Sequence, residues 1–203
     1  MTRRSWFSRI FGGGEQSYFL GIQVVIRAFG EDTLRAKFAR VISDPDGAME
    51  DVEAKRRYIK RIIALLMEQE PYWSQLFWDY KTDHAESEAE FNTWATELSA
   101  STATEHEELD HDVDGMRRLS KSKDYVAVTL IFHLTEPYPP ADVSEEALYW
   151  RRETLRSLLD GLLYLDPETI LADGVFVVPG SAEDGLSEED LLTGGWSYLR
   201  VIT

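Results

Sequence analysis

The stretch that most limits the fold is Asp124 to Leu134, DYVAVTLIFHL. From Tyr125 to Leu134 only Thr129 and His133 are polar, and β-branched and aromatic side chains dominate. A strand exposed on one face alternates polar and apolar residues, so this run suits a central strand buried on both faces. The remaining segments then read as elements that border and cover it.

Tyr18 to Phe29 (YFLGIQVVIRAF) is a second apolar run and predicts the first strand, closed by Gly30. A helix is expected from Asp32 or Thr33, with Leu34, Phe38 and Val41 on one side. After the Asp44-Pro-Asp-Gly47 turn, Met49 to Glu70 predicts the longest helix. Its apolar stripe is Val52, Ile59, Ile62, Ile63 and Leu66, and Pro71 interrupts it. Tyr72 to Tyr80 carries five rings in nine residues, which suits core filling between helices better than a ligand groove. Glu86 to Leu98 predicts an acidic helix, and Thr102-Ala-Thr-Glu105 looks like a capping box that opens another.

Beyond the central strand, Glu136 to Pro140 is a stiff extended linker. Ser144 with Glu145 and Glu146 caps a helix expected to run to about Leu159, with Leu148, Leu155, Leu158 and Leu159 inward and Gly161 as its stop. Asp166-Pro-Glu168 is a further cap-and-turn signal. Gly174 to Pro179 predicts a short strand, Ser187 to Asp190 opens a short helix, and Trp196 to Ile202 suits an edge strand. Together these give an α+β fold, a small mixed sheet of three to four strands covered by helices. The expected organisation is a basic amphipathic arm over residues 1–16 and one domain over 17–203. A parallel pairing of the central strand with Gly174–Pro179 would require a right-handed crossover through the Leu-rich helix.

Charge narrows the function. With 21 basic and 37 acidic residues the chain carries −16. Such a body repels phosphate, so nucleic acid is not an expected partner. Residues 1–14 hold Arg3, Arg4 and Arg9 and no acid, so the arm is +3 and the remaining chain −19. Trp6, Phe7, Ile10 and Phe11 lie at helical spacings among these arginines, a pattern suited to an anionic membrane surface. No apolar run approaches the roughly 20 residues of a membrane span, and no signal peptide is expected. A cytoplasmic location, peripheral to a membrane, is the default expectation. There is no cysteine, which removes disulfides and thiolate chemistry.

EHEELDHDVDGMRR, from Glu105 to Arg118, is the most tempting stretch for chemistry. His106 and His111 are five apart, about 140° around a helix, whereas a zinc-protease motif needs four. Asp110, Asp112, Asp114 and Gly115 fit the front half of a calcium loop, but Lys121 stands where the bidentate Glu belongs and Arg117 and Arg118 lie within. Asp110, Asp112 and Asp114 are therefore the candidate metal ligands of a weak signal. Gly12 to Gly14 lacks the Lys-Ser/Thr of a phosphate loop, no nucleophile elbow is present, and no cofactor is expected.

The order of several segments carries a resemblance. YVAVTLIFHL, LRSLLDGL and ILADGVFVVPGSAEDGLSEEDLL resemble, in sequence, the uncharacterised family called domain of unknown function 1517. In that family a strand of the type YIVVTLLVA precedes a Leu-rich helix, then AVEVLWTPQ and a D-x-LS-x-x-ELL segment. QVVIRAF, EPYWSQLFW and EFNTWATELSASTATEHEEL resemble its N-terminal half more loosely, and Met116-Arg-Arg its approach to the central strand. This chain has Val178-Pro179-Gly180 in place of the Trp-Thr-Pro-Gln element. The resemblance implies no reaction and no catalytic residue.

Three readings of function follow. The first is a non-enzymatic binding or scaffold domain for a protein partner, held at a membrane surface by its arm. The second is an enzyme whose candidates are His133, His106 or His111 with carboxylates such as Asp124. For His133 a hydrogen bond to backbone or water at the strand end is the simpler expectation. The third is a divalent-metal module built on the acidic 105–115 stretch.

Overall fold

The computed structural model describes residues 16–28, 34–43, 51–110, 124–178, 185–193 and 196–203, with the backbone alone for Arg35, Ala39, Ser43 and 101–110. Its framework is a five-stranded sheet. β1 spans Tyr18–Arg27, β2 Trp73–Lys81, β3 Tyr125–Leu134, β4 Ile170–Val178 and β5 Arg200–Val201. The spatial order is β4-β3-β1-β2-β5, and every pairing is antiparallel. The expectation of a mixed sheet of three to four strands is thus corrected in count and in sense. β3 is internal and buried along most of its length, as its apolar run requires, but β1 holds the middle position.

Three elements differ from their sequence readings for identifiable reasons. The aromatic stretch forms strand β2 from Trp73 onward, with Tyr72 in the preceding 3-10 turn, and its Trp73 and Trp78 fill the core from a strand of the sheet. Its rings divide by strand alternation: Trp73 and Trp78 are buried on one face, while Phe77 turns to the other. An irregularity opposite Val25/Ile26 inserts Ser74 and keeps Trp73 on the same face as Leu76 and Trp78. β4 begins at Ile170, earlier than Gly174, and runs antiparallel to β3, so no parallel crossover exists. The acidic segment is one helix, His84–Asp110, not two. No Gly or Pro occurs between those residues, so nothing stops the helix at the Thr102 capping signal.

The helices are α1 Leu34–Ser43, α2 Val52–Glu68, α3 His84–Asp110, α4 Arg152–Leu163 and α5 Glu188–Thr193. One sheet face, formed by Leu20, Ile22, Val24, Val128, Leu130 and Phe132 among others, packs on α1, α2 and α4. Ile59, Ile62, Ile63 and Leu66 of α2 are buried there, whereas Val52 is 41% exposed because it occupies the first, outward turn. The Ser144–Leu159 helix is corrected to a 3-10 turn at Glu146–Leu148 followed by α4. Gly161 lies inside α4 rather than ending it. A β-carbon there would come 2.3 Å from the Tyr138 hydroxyl, which donates to the Leu158 carbonyl at 2.5 Å. Close approach, not termination, is the reason for that glycine.

The opposite face is covered by α3 and by the C-terminal segment. Trp94 of α3 lies over Gly21 and meets Phe19 edge-on at 5.5 Å and Phe77 stacked at 5.7 Å. Val25, Ala127 and Val178 pack with Leu191 and Leu199 in a second, smaller cluster. Ser187 and Asp190 form a reciprocal cap at the start of α5, with backbone N–H to side-chain bonds of 2.7 and 3.2 Å.

Candidate functional site

Buried polar groups mark where a fold does something besides bury apolar surface, and four of them, Ser17, Gln23, Ser87 and Thr129, lie on the face that α3 and the C-terminal segment cover. Ser17 immediately precedes β1 and is 1% exposed. Its hydroxyl oxygen is 2.7 Å from Nδ1 of His84 and 2.8 Å from Nε2 of His133. A serine hydroxyl has one proton, so it donates to one ring nitrogen and accepts from the N–H of the other. His84 is exposed on the first turn of α3, and His133 is half-buried near the end of β3 with Phe91 stacked on it at 5.8 Å. The hydroxyl thus joins three elements: the start of β1, β3 and α3.

The local sequence explains the placement. Asp83 caps α3 by accepting from the Glu86 N–H at 3.1 Å, which fixes His84 in the first turn. One turn on, the fully buried Ser87 hydroxyl lies 3.1 Å from the carbonyls of both Ser17 and Lys81. On β1, alternation sends Ser17, Phe19, Gly21 and Gln23 to the same face. Gln23, 2% exposed, donates to the Thr129 hydroxyl at 2.8 Å and accepts from Tyr198 at 2.7 Å. That second polar node fastens the C-terminal segment to the sheet.

Electrostatics separates the two nodes. Burial lowers the pKa of His133 from its ordinary 6.5, the Glu88 carboxylate opposes this, and His84 adds to the lowering. Burial raises the Tyr198 phenol, and the bond to Gln23 works against that rise. Both groups are therefore held neutral near pH 7.

Chemically, Ser17 with two imidazoles has the parts of an activated hydroxyl. At 1% exposure, however, a substrate carbonyl cannot reach it past α3. The arrangement as it stands is a fastening. His133 bonds the Ser17 hydroxyl through Nε2, a side-chain partner that its strand-end position does not announce. The other enzyme candidates do not join it. Asp124 lies beyond the far end of β3, where its carbonyl accepts from Ala28, and the His106 side chain and His111 lie outside the described residues. Ser17, His84, Gln23 and Tyr198 escaped the sequence reading because their partners are 67 to 175 residues away in the chain.

Among the described residues, no three His, Cys, Asp or Glu side chains come together as a metal-ligand set. Asp110 ends α3 with its side chain outside the described set, and Asp112 and Asp114 lie outside it altogether, as do Arg3, Arg4, Trp6, Phe7, Arg9, Ile10 and Phe11. No helix among the described residues is long and apolar enough to cross a membrane.

Residues 18–194 match the family described as Protein of unknown function (DUF1517). The chain belongs to this family. The match opens at the first residue of β1 and closes one residue after α5, so it contains His84, His133 and Gln23, while Ser17 and Tyr198 fall outside it. No curated protein and no solved structure matches the chain. Membership in DUF1517 leaves the activity open.

Proposed function

We propose that this DUF1517 protein is a non-enzymatic binding domain that meets an anionic membrane surface through residues 1–16 and offers its acidic body to a protein partner. The observation that carries this reading is the opposition of charge along the chain, +3 over residues 1–14 against −19 over the remainder. An acidic body is repelled by an anionic surface, so only the arm can approach it, and the body is turned away. The clamp at Ser17 supports the same reading, because it gives the arm a fixed point of departure at the foot of α3. Along α3, Glu86, Glu88 and Glu97 are exposed, and no Lys or Arg occurs from Asp83 to Asp114. That surface suits a basic partner.

Three arginines contribute on the order of 1 kcal/mol each near such a surface, and the aromatic residues add apolar burial. The expected attachment is reversible and salt-sensitive. Co-sedimentation with phosphatidylserine vesicles compares the full chain with one that starts at Ser17. The full chain should pellet at low salt, lose binding as salt rises, and lose it entirely on truncation. Equal behaviour of the two chains would sink the proposal.

A further inference from the structure

The two edges of the sheet are finished differently. Along β2, β5 pairs with Gln75 and Leu76, and Ile202 donates to the Ser74 carbonyl at 3.0 Å. Further along, Trp78 donates its indole N–H to the Tyr149 carbonyl. The Tyr80 N–H is closed by the side chain of Asp79 at 2.9 Å, and Lys81 holds that carboxylate at 3.0 Å. These are means of blocking further strand pairing. Among the described residues, β4 at the other edge is covered by no further strand, and its one irregularity is the bulge at Leu171, opposite His133 and Leu134. No capping side chain among them meets its outer side over nine residues.

Register fixes which groups are open. Tyr125 exchanges both backbone bonds with Leu186, and Thr135 donates to Thr169, so odd-numbered residues of β3 bond toward β4. Their partners are Ala172, Gly174, Phe176 and Val178. Asp173, Val175 and Val177 therefore turn their N–H and C=O groups outward. Asp173, the one charged residue of β4, points to the helix face, where Lys55 neutralises it at 2.5 Å. Leu171 beside it is 47% exposed.

We infer that the outer edge of β4 pairs antiparallel with β4 of a second copy of this chain, about a two-fold axis at Gly174. The strand is self-complementary around that point. Asp173 and Val175 would exchange backbone bonds with Val175 and Asp173 of the copy, Ala172 would face Phe176, and Leu171, the bulged residue, would lie toward Val177 at the end of the pairing. The two glycines would meet at a non-hydrogen-bonded position, where opposed Cα atoms come closest and side chains would crowd. No like charges stand directly opposite. The two Asp173 carboxylates lie on a diagonal, each with its own Lys55. Outside one charge-neutralised residue the edge is apolar, so its surface matches itself better than it matches a charged peptide.

Sedimentation velocity of the full chain over rising concentration tests this. The sedimenting mass should move from one chain toward two, and further at high salt, because two bodies of −16 repel one another. Val175→Pro deletes an outward N–H without touching a bond to β3 and should keep the chain monomeric, with circular dichroism to report its fold. Leu171→Lys alters an exposed side chain and should weaken the dimer by at least about tenfold. A chain that remains monomeric at every concentration and salt, or a dimer that survives Leu171→Lys in a folded protein, would overturn the inference.

Discussion

The two faces of the sheet are built on different principles. The face beneath α1, α2 and α4 is apolar apart from the Asp173–Lys55 pair at its β4 edge, with Ile62, Ile63, Leu66, Leu155, Leu158 and Phe132 all at most 1% exposed. The face beneath α3 interleaves rings with fully enclosed polar groups: Ser17, Gln23, Ser87 and Thr129. The first face supplies most of the stability, because apolar burial is the dominant favourable term and has no directional demand. The second spends buried area on hydrogen bonds of small net stabilisation. In return it fixes register: a one-residue slip of β1 would turn Gln23 and Ser17 into the apolar face, where neither has a partner.

Substitutions should therefore cost most on the apolar face. Phe132→Ala removes a ring that is 1% exposed between β1, β4 and the helices. The expected loss is about 3–5 kcal/mol, read as a lower urea midpoint at unchanged slope. A loss under about 1 kcal/mol would mean that this face is loosely packed and that the contrast with the α3 face is false.

The same contrast explains what could be read from the sequence. Ile59, Ile62, Ile63, Leu66, Leu155 and Leu158 announce their burial through helical spacing, since apolar packing depends on local periodicity. The α3 face does not announce itself. Ser17 is an ordinary serine after a basic arm until folding brings His84 and His133 to it, and a lone glutamine within QVVIRAF gives no hint of Thr129 or Tyr198. Strand sense was unreadable for a related reason. The connection through α4 is long enough to serve either sense, and only the pairing of β3 with β4 decides between them. The aromatic β2 stretch misleads because rings fill helices and strands alike, and the bulge at Ser74 spoils its period-two alternation.

On the polar face the expected penalties are smaller and depend on chemistry more than on size. Gln23→Ala leaves the hydroxyls of Thr129 and Tyr198 without their shared partner, at about 1–3 kcal/mol. Gln23→Ala combined with Tyr198→Phe should cost less than the sum of the two single changes, because both remove the same bond. Strict additivity in denaturant unfolding would show that the Gln23 node is not a coupled unit.

The smallest effect belongs to the Ser17 clamp, and pH is the means of seeing it. Burial holds the His133 pKa below 6.5, so the unfolded chain takes up this proton at higher pH than the folded one. The His133 contribution to stability is therefore complete above 6.5 and is lost as pH falls from there toward the folded value, below which it levels off. Other groups also titrate in this range, so the informative quantity is the difference between the natural chain and His133→Gln, whose amide keeps a group able to bond Ser17. The natural chain should lose stability more steeply than the variant as pH falls below the ordinary histidine value of 6.5. Parallel profiles would mean that His133 takes up its proton equally easily in both states. The polar face would then be held by Gln23 and Ser87, and the two histidines would be incidental neighbours of Ser17.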